Sequence, residues 1–125
     1  MKTKQSSSTK RIGTKALKPL VVDLCCGMGG ISLAAQQLGM QVLVGIDNNP
    51  AATRTFENNF PNATTLTGSV RSRALIDECK SHVSKLKRGY QPTIVVSGPP
   101  CQGFSVAGSR DPNDPRNQIL SLIHI

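Results

Sequence analysis

The sequence predicts an α/β fold built on a doubly wound, mostly parallel sheet. Three observations carry that reading. Short runs rich in β-branched residues recur at 20–24, 41–46, 64–67 and 93–96. Helical apolar spacing fills the stretches between them, and glycine, proline or asparagine stands at the junctions. Strands alternating with helices at this spacing are joined by crossovers, which leave neighbouring strands parallel.

The first strand is Leu20 to Leu24, an apolar run broken by Cys26-Gly27-Met28-Gly29-Gly30. A helix follows, with Ile31, Ala34, Ala35 and Leu38 expected on its inner face and Gly39 expected just past its end. The second strand runs from Gln41 to Ile46 and finishes at Asp47. Asn48 or Asn49 can cap the next helix, with Pro50 at its first position, and Pro61 forbids continuation beyond about Asn59. Thr64 to Thr67 is a short third strand. Ser72 to Arg88 reads as an amphipathic helix with Leu75, Cys79, Val83 and Leu86 on one face. Thr93 to Val96 reads as a fourth strand, expected to be buried.

Composition bounds the class. The chain has 125 residues, 38% hydrophobic and 18% charged, which suits one domain with a real core. The net charge of +8 is unevenly placed. Lys2, Lys4, Lys10, Arg11, Lys15 and Lys18 fall within residues 1–18, which contain no acid. That segment is expected to be a flexible basic tail, able to graze phosphates without sequence preference or simply to solubilise. Residues 19–119 form the domain proper. No apolar run approaches the roughly 18 residues of a membrane span, and no apolar signal core follows the basic start. Cys25 and Cys26 are adjacent, about 3.8 Å apart at Cα, below the usual disulfide span. No two of the four cysteines have zinc-site spacing, so no metal is expected and the thiols read as reduced, in a cytosolic protein.

Two stretches carry chemistry. Ser97-Gly98-Pro99-Pro100-Cys101-Gln102-Gly103-Phe104-Ser105 follows the fourth strand. Consecutive prolines stiffen the backbone and deliver a thiol at the carboxyl end of a strand, where open α/β sheets bind ligands. Most free cysteines are small buried hydrophobes, but the polar, glycine-containing flank of Cys101 suits a site wall better than a core. The second stretch is the turn Gly27-x-Gly29-Gly30, with Asp23 before it and Asp47 at the end of the second strand. Alone it means a tight turn or a nucleoside-type ligand. With Asp47 placed to grip a ribose diol, it favours a cofactor without a pyrophosphate.

These stretches resemble the cytosine carbon-5 DNA methyltransferases. Asp23-Leu24-Cys25-Cys26-Gly27-Met28-Gly29-Gly30 is similar to that family's first motif, and Ser97 to Ser105 to its fourth, catalytic Pro-Cys motif. The resemblance covers about residues 19 to 119. It implies the Rossmann-like sheet of S-adenosylmethionine-dependent methyltransferases, present in truncated form. S-adenosyl-L-methionine would be the cofactor, held by Asp23, Cys26, Gly27, Met28, Gly29, Gly30, Asp47, Asn48, Ser69, Val70 and Pro100. Gly27, Gly29 and Gly30 would line its methionine end, Asp47 would hold the ribose hydroxyls, Asn48 would sit beside the adenine, and Pro100 would lie against the cofactor. Cys101 would be the nucleophile that attacks carbon 6 of a cytosine flipped out of double-stranded DNA. Cys25 stands where the family usually carries Phe, and Ser69 where it usually carries Asp.

The family's later motifs, with the glutamate that binds cytosine and the target-recognition region, do not follow. After Asp114-Pro115-Arg116-Asn117-Gln118 the sequence ends Leu120-Ser121-Leu122-Ile123-His124-Ile125. That string is the in-frame translation of a transposon end used in sequencing libraries. Residues 120–125 are therefore expected to be a non-native tail on an incomplete domain that is inactive alone. A cognate restriction endonuclease would be a companion, and the location bacterial cytoplasm, or the nucleus in a eukaryote. Alternatives are an RNA (tRNA) cytosine methyltransferase and a non-catalytic binding protein of the same half-fold.

Overall fold

The computed structural model describes residues 17–87, 92–101, 105 and 107–119. The basic segment 1–16, residues 102–104 of the Pro-Cys stretch, Arg88 and the 120–125 tail lie outside the described residues. Seven elements alternate in the expected order. They are β1 (Leu20–Leu24), α1 (Gly30–Gln37), β2 (Gln41–Asp47), α2 (Pro50–Asn59), β3 (Thr64–Thr67), α3 (Arg73–Leu86) and β4 (Thr93–Ser97).

The strands form one parallel sheet in the order β3-β2-β1-β4. Chain order thus runs outward from β1 to β3, then returns to the other side of β1. Leu24 lies beside Ile46 of β2 and Ser97 of β4, so the loops after β1, β2 and β4 leave at one level. The β1–β2 register shifts between Val21 and Val22, leaving Leu43 as the extra residue on β2.

Local chemistry sets the boundaries. α1 ends in a Schellman turn, in which Met40 N–H donates to the Ala35 carbonyl at 3.1 Å and Gly39 N–H to the Gln36 carbonyl at 3.0 Å. Gly39 takes φ +84°, as a C′ residue should. Asn49 is the residue that caps α2; its side chain accepts from Ala51 N–H at 2.9 Å, and Pro50 opens the helix. Ser72 caps α3 by accepting from Leu75 N–H at 3.3 Å.

Two apolar clusters hold the layers. Leu20, Val22, Leu43, Val44, Ile46 and Leu66 gather with Cys79 of α3, and Leu75, Ile76 and Val83 pack on them. Cys26, Val42, Phe56 and Phe60 form the second cluster. The Phe56 and Phe60 rings there lie 4.7 Å apart between centroids.

Two burial expectations are corrected. The inner face of α1 holds Ser32 and Ala35. Ile31, Ala34 and Leu38 are exposed, Leu38 at 76%. The cause is polar: the Ser32 hydroxyl bonds buried Asp23, and that bond turns the helix. Strand β4 is also less covered than its composition suggests, with Val95 59% exposed. It is the edge strand on its side of the sheet, and α3 reaches it only in part.

Candidate functional site

A cleft of about 420 Å³ opens at the carboxyl ends of the strands. It straddles β1, where chain order reverses between β2 on one side and β4 on the other. Ligands of open α/β sheets bind in such crevices. Cys25 and Gly27 enter from the β1 turn, Asp47, Asn48 and Asn49 from the end of β2, and Gly68, Ser69 and Val70 from the end of β3. Gly98 and Pro100 come from the end of β4, and Arg116 and Ile119 close the remaining wall.

Asp47 ties two of these loops together. One carboxylate oxygen accepts from Gly27 N–H at 2.9 Å and the other from Asn49 N–H at 2.9 Å. Its backbone carbonyl accepts from Gly68 N–H at 2.8 Å, which brings in the β3 loop. Each carboxylate oxygen keeps a lone pair, so the group can still accept from a ligand hydroxyl.

The glycine turn is shaped for several reasons at once. Cys25 and Gly27 both have left-handed backbones, at φ 59° and 54°. A Cβ on Gly27 would meet nothing within 4 Å, so the bare backbone keeps the cleft open there. Gly29 is different: at φ +99°, its Cβ would come within 2.3 Å of the Phe60 ring. That glycine is required by aromatic packing behind the turn. Asn59 supports the turn by donating its side-chain N–H to the Met28 carbonyl at 3.0 Å.

Behind the turn lies Asp23, 1% exposed, accepting from the Ser32 hydroxyl at 2.6 Å. Its second oxygen, Oδ1, is buried and makes no hydrogen bond. Burial raises the Asp23 pKa, hydrogen bonds from Ser32 oppose the rise, and the Asp47 charge adds to it. Gly29, the N-cap residue of α1, has no side chain to cap the helix, and the Ser32 hydroxyl ties the first turn to Asp23 of β1. The neighbouring Cys26 thiol is pushed up to about 12, first by burial and then by the charges of Asp23 and Asp47. It is a core sulfur, not a nucleophile.

Cys101 is exposed, immediately after the cleft-lining Pro100. Ser105 N–H donates to the Cys101 carbonyl at 2.8 Å. The next segment is knotted by its own side chains. Arg116 Nε donates to both oxygens of Asp114, at 2.9 and 3.0 Å, and holds that carboxyl down to about 2.

The sequence-predicted residues thus divide by position. Gly27, Asp47, Asn48, Ser69, Val70 and Pro100 line one cleft. Met28, Gly30 and Cys101 are exposed, while Asp23, Cys26 and Gly29 are buried. Sequence reasoning missed Asn49, Gly68, Gly98, Arg116 and Ile119 as cleft residues. Arg116 had no local signal for the cleft, because its knot with Asp114 is local but its place on the wall is tertiary. Among the described residues, no helix is long and apolar enough to cross a membrane.

The donor set fits a nucleoside with a free ribose diol. Among the described residues the lining has one carboxylate at the end of β2, neutral polar groups and Val70 beyond it, and no cluster of cations for phosphates.

Comparison with known proteins agrees with this geometry. The family model described as C-5 cytosine-specific DNA methylase matches residues 20–124. The type II methyltransferase M.XorII of Xanthomonas oryzae pv. oryzae is 36% identical over 103 residues, covering 82% of this chain and 24% of that protein. M.HgiGI of Herpetosiphon aurantiacus is 37% identical over 90 residues, covering 72% of this chain and 65% of that one. Among solved structures, a Spodoptera frugiperda DNMT2 mutant superposes with a TM-score of 0.58 at 26% identity, covering 86% of this chain and 31% of its own. An Escherichia coli prophage-encoded protein, described as a DNA modification methyltransferase, gives 0.59 at 28% identity, covering 82% and 26%. The chain therefore spans about a quarter of the Xanthomonas relative and under two thirds of the Herpetosiphon one.

Proposed function

The chain belongs to the C-5 cytosine-specific DNA methylase family, and from that premise we propose that its cleft binds S-adenosyl-L-methionine and that Cys101 is the nucleophile for methyl transfer to cytosine in DNA. The observation that carries this reading is one adjacency. Pro100 lines the cleft, and the residue that follows it in the chain is the exposed Cys101.

The bound cofactor supplies an electrophilic methyl group. Gly27 leaves room for its amino-acid end, Asp47 accepts from the ribose hydroxyls, and Asn48, Ser69 and Val70 surround the base. Asp23, Cys26, Met28, Gly29 and Gly30 hold the turn that shapes the pocket. The Cys101 thiolate adds to carbon 6 of cytosine, which makes carbon 5 nucleophilic enough to take the methyl. Loss of the carbon-5 proton then lets the sulfur leave and restores the ring. A stacked base hides its ring face, so the cytosine is flipped out of double-stranded DNA. The natural setting is a bacterial cytoplasm, with a restriction endonuclease cutting the same unmethylated site.

The test is transfer of labelled methyl groups from S-adenosyl-L-methionine to DNA, with RNA as the control acceptor. Label in DNA that disappears in Cys101→Ser, while the variant keeps its cofactor affinity, supports the proposal. Preferential labelling of RNA, or full activity in Cys101→Ser, overturns it.

A further inference from the structure

We propose that Ser69 makes the base end of the cleft accept a purine carrying either a 6-amino or a 6-oxo group. The inference rests on the cofactor reading above and concerns its specificity.

The ribose-binding acid of such folds stands at the end of β2, so the base lies beyond it, toward the end of β3. The groups there are the Asn48 side chain, the Ser69 hydroxyl and apolar Val70. None is a carboxylate. Asp47, tied to the Gly27 and Asn49 N–H groups, spends its remaining lone pairs on the ribose hydroxyls in that reading. The Arg116 guanidinium, on the far wall, is engaged by Asp114. The base edge is therefore read by neutral groups alone.

Ser69 itself is fixed in position but not in polarity. Its Oγ accepts from Arg71 N–H at 3.2 Å, and its carbonyl accepts from Ser72 N–H at 2.9 Å. That leaves the hydroxyl one O–H to donate and one lone pair to accept. A 6-amino group needs an acceptor and a 6-oxo group needs a donor. The hydroxyl offers both, as does the Asn48 carboxamide. A carboxylate at position 69 could only accept. It would face a 6-oxo oxygen with no proton between them, leaving two acceptors opposed.

The experiment titrates the chain with S-adenosylhomocysteine and with its deaminated analogue S-inosylhomocysteine, following binding by calorimetry. The native protein is expected to bind the two within about fivefold of each other. Ser69→Asp is expected to widen the ratio beyond about fiftyfold by weakening the inosyl compound, while neutral Ser69→Asn keeps it within about fivefold. A native preference for the adenosyl compound above about fiftyfold overturns the proposal, as does an unchanged ratio in Ser69→Asp. Absence of binding by either compound would instead remove the cofactor reading, and this inference with it.

Discussion

Asp23 and Asp47 show how one residue type is given two tasks by its surroundings. Asp23 is sealed behind the turn with one oxygen unpartnered, and burial raises its pKa above the ordinary 3.8. Because the folded value is raised, the stability it contributes is full below about pH 3.8 and is lost as pH rises through the folded value. Urea unfolding of the native protein should therefore show an Asp23 contribution to the midpoint that declines as pH rises above 3.8. Asp23→Asn should flatten that fall, and equal slopes in the two proteins would contradict the assignment. Asp114 works in the opposite sense. Its pKa lies at about 2, so its contribution is present above 3.8 and disappears as pH drops toward 2. The two windows do not overlap. For Asp47→Ala, cofactor affinity should weaken by about 1.5–3 kcal/mol, because a charged acceptor is lost and two loop N–H groups are released with it. Calorimetric titration with S-adenosylhomocysteine checks this, and an unchanged dissociation constant would leave Asp47 only a loop tie. The placing of Gly27, Asp47 and Pro100 at one cleft was legible because backbone freedom, strand-end acids and proline stiffness are local properties. The burial of Asp23 was not, because it depends on Ser32 nine residues away, and the placing of Arg116 on the cleft wall was not, because it depends on tertiary structure.

Elements were legible to within a residue or two wherever punctuation was chemical. Asn49-Pro50 opens α2 and Gly39 closes α1, as the caps require. Facing was harder to read. The apolar residues of α1 suggested an inner stripe of Ile31, Ala34, Ala35 and Leu38, but one hydrogen bond from Ser32 to Asp23 set the rotation instead. The α2–sheet contact makes a further prediction. A Cβ on Gly45 would stand 2.4 Å from the Phe56 ring, so Gly45→Ala must displace that ring or the strand. The expected loss is about 1–3 kcal/mol, the scale of overpacking in a closed core. Adding Phe56→Leu to Gly45→Ala should cost less than the two single losses summed, since the smaller side chain vacates the clash. Strict additivity in chemical denaturation would contradict this packing.

The whole molecule is organised by the return of the chain to β4, which brings the Pro-Cys stretch alongside the glycine turn of β1. Sequence pattern gave the alternation of elements and hence a parallel sheet. It could not give the coverage of β4, which depends on what lies beside an edge strand. Val22, Leu24, Ile76, Val83 and Val95 line an apolar groove of about 440 Å³ between α3 and that edge. Val95→Lys should therefore leave the unfolding midpoint nearly unchanged, within about 0.5 kcal/mol, while reducing binding of a hydrophobic dye. Undiminished dye binding would place the exposed apolar surface elsewhere.

The central claim is that the thiol held beside this cleft attacks the cytosine ring. DNA carrying 5-fluorocytosine tests it most directly, because fluorine at carbon 5 cannot leave as a proton does, and the sulfur stays attached to carbon 6 after methyl transfer. Incubation of the protein from its own gene with such DNA and S-adenosyl-L-methionine should give a denaturation-resistant adduct, whose peptide map ends at Cys101 and which Cys101→Ser cannot form. An adduct through Cys25, or undiminished adduct in Cys101→Ser, would contradict the account.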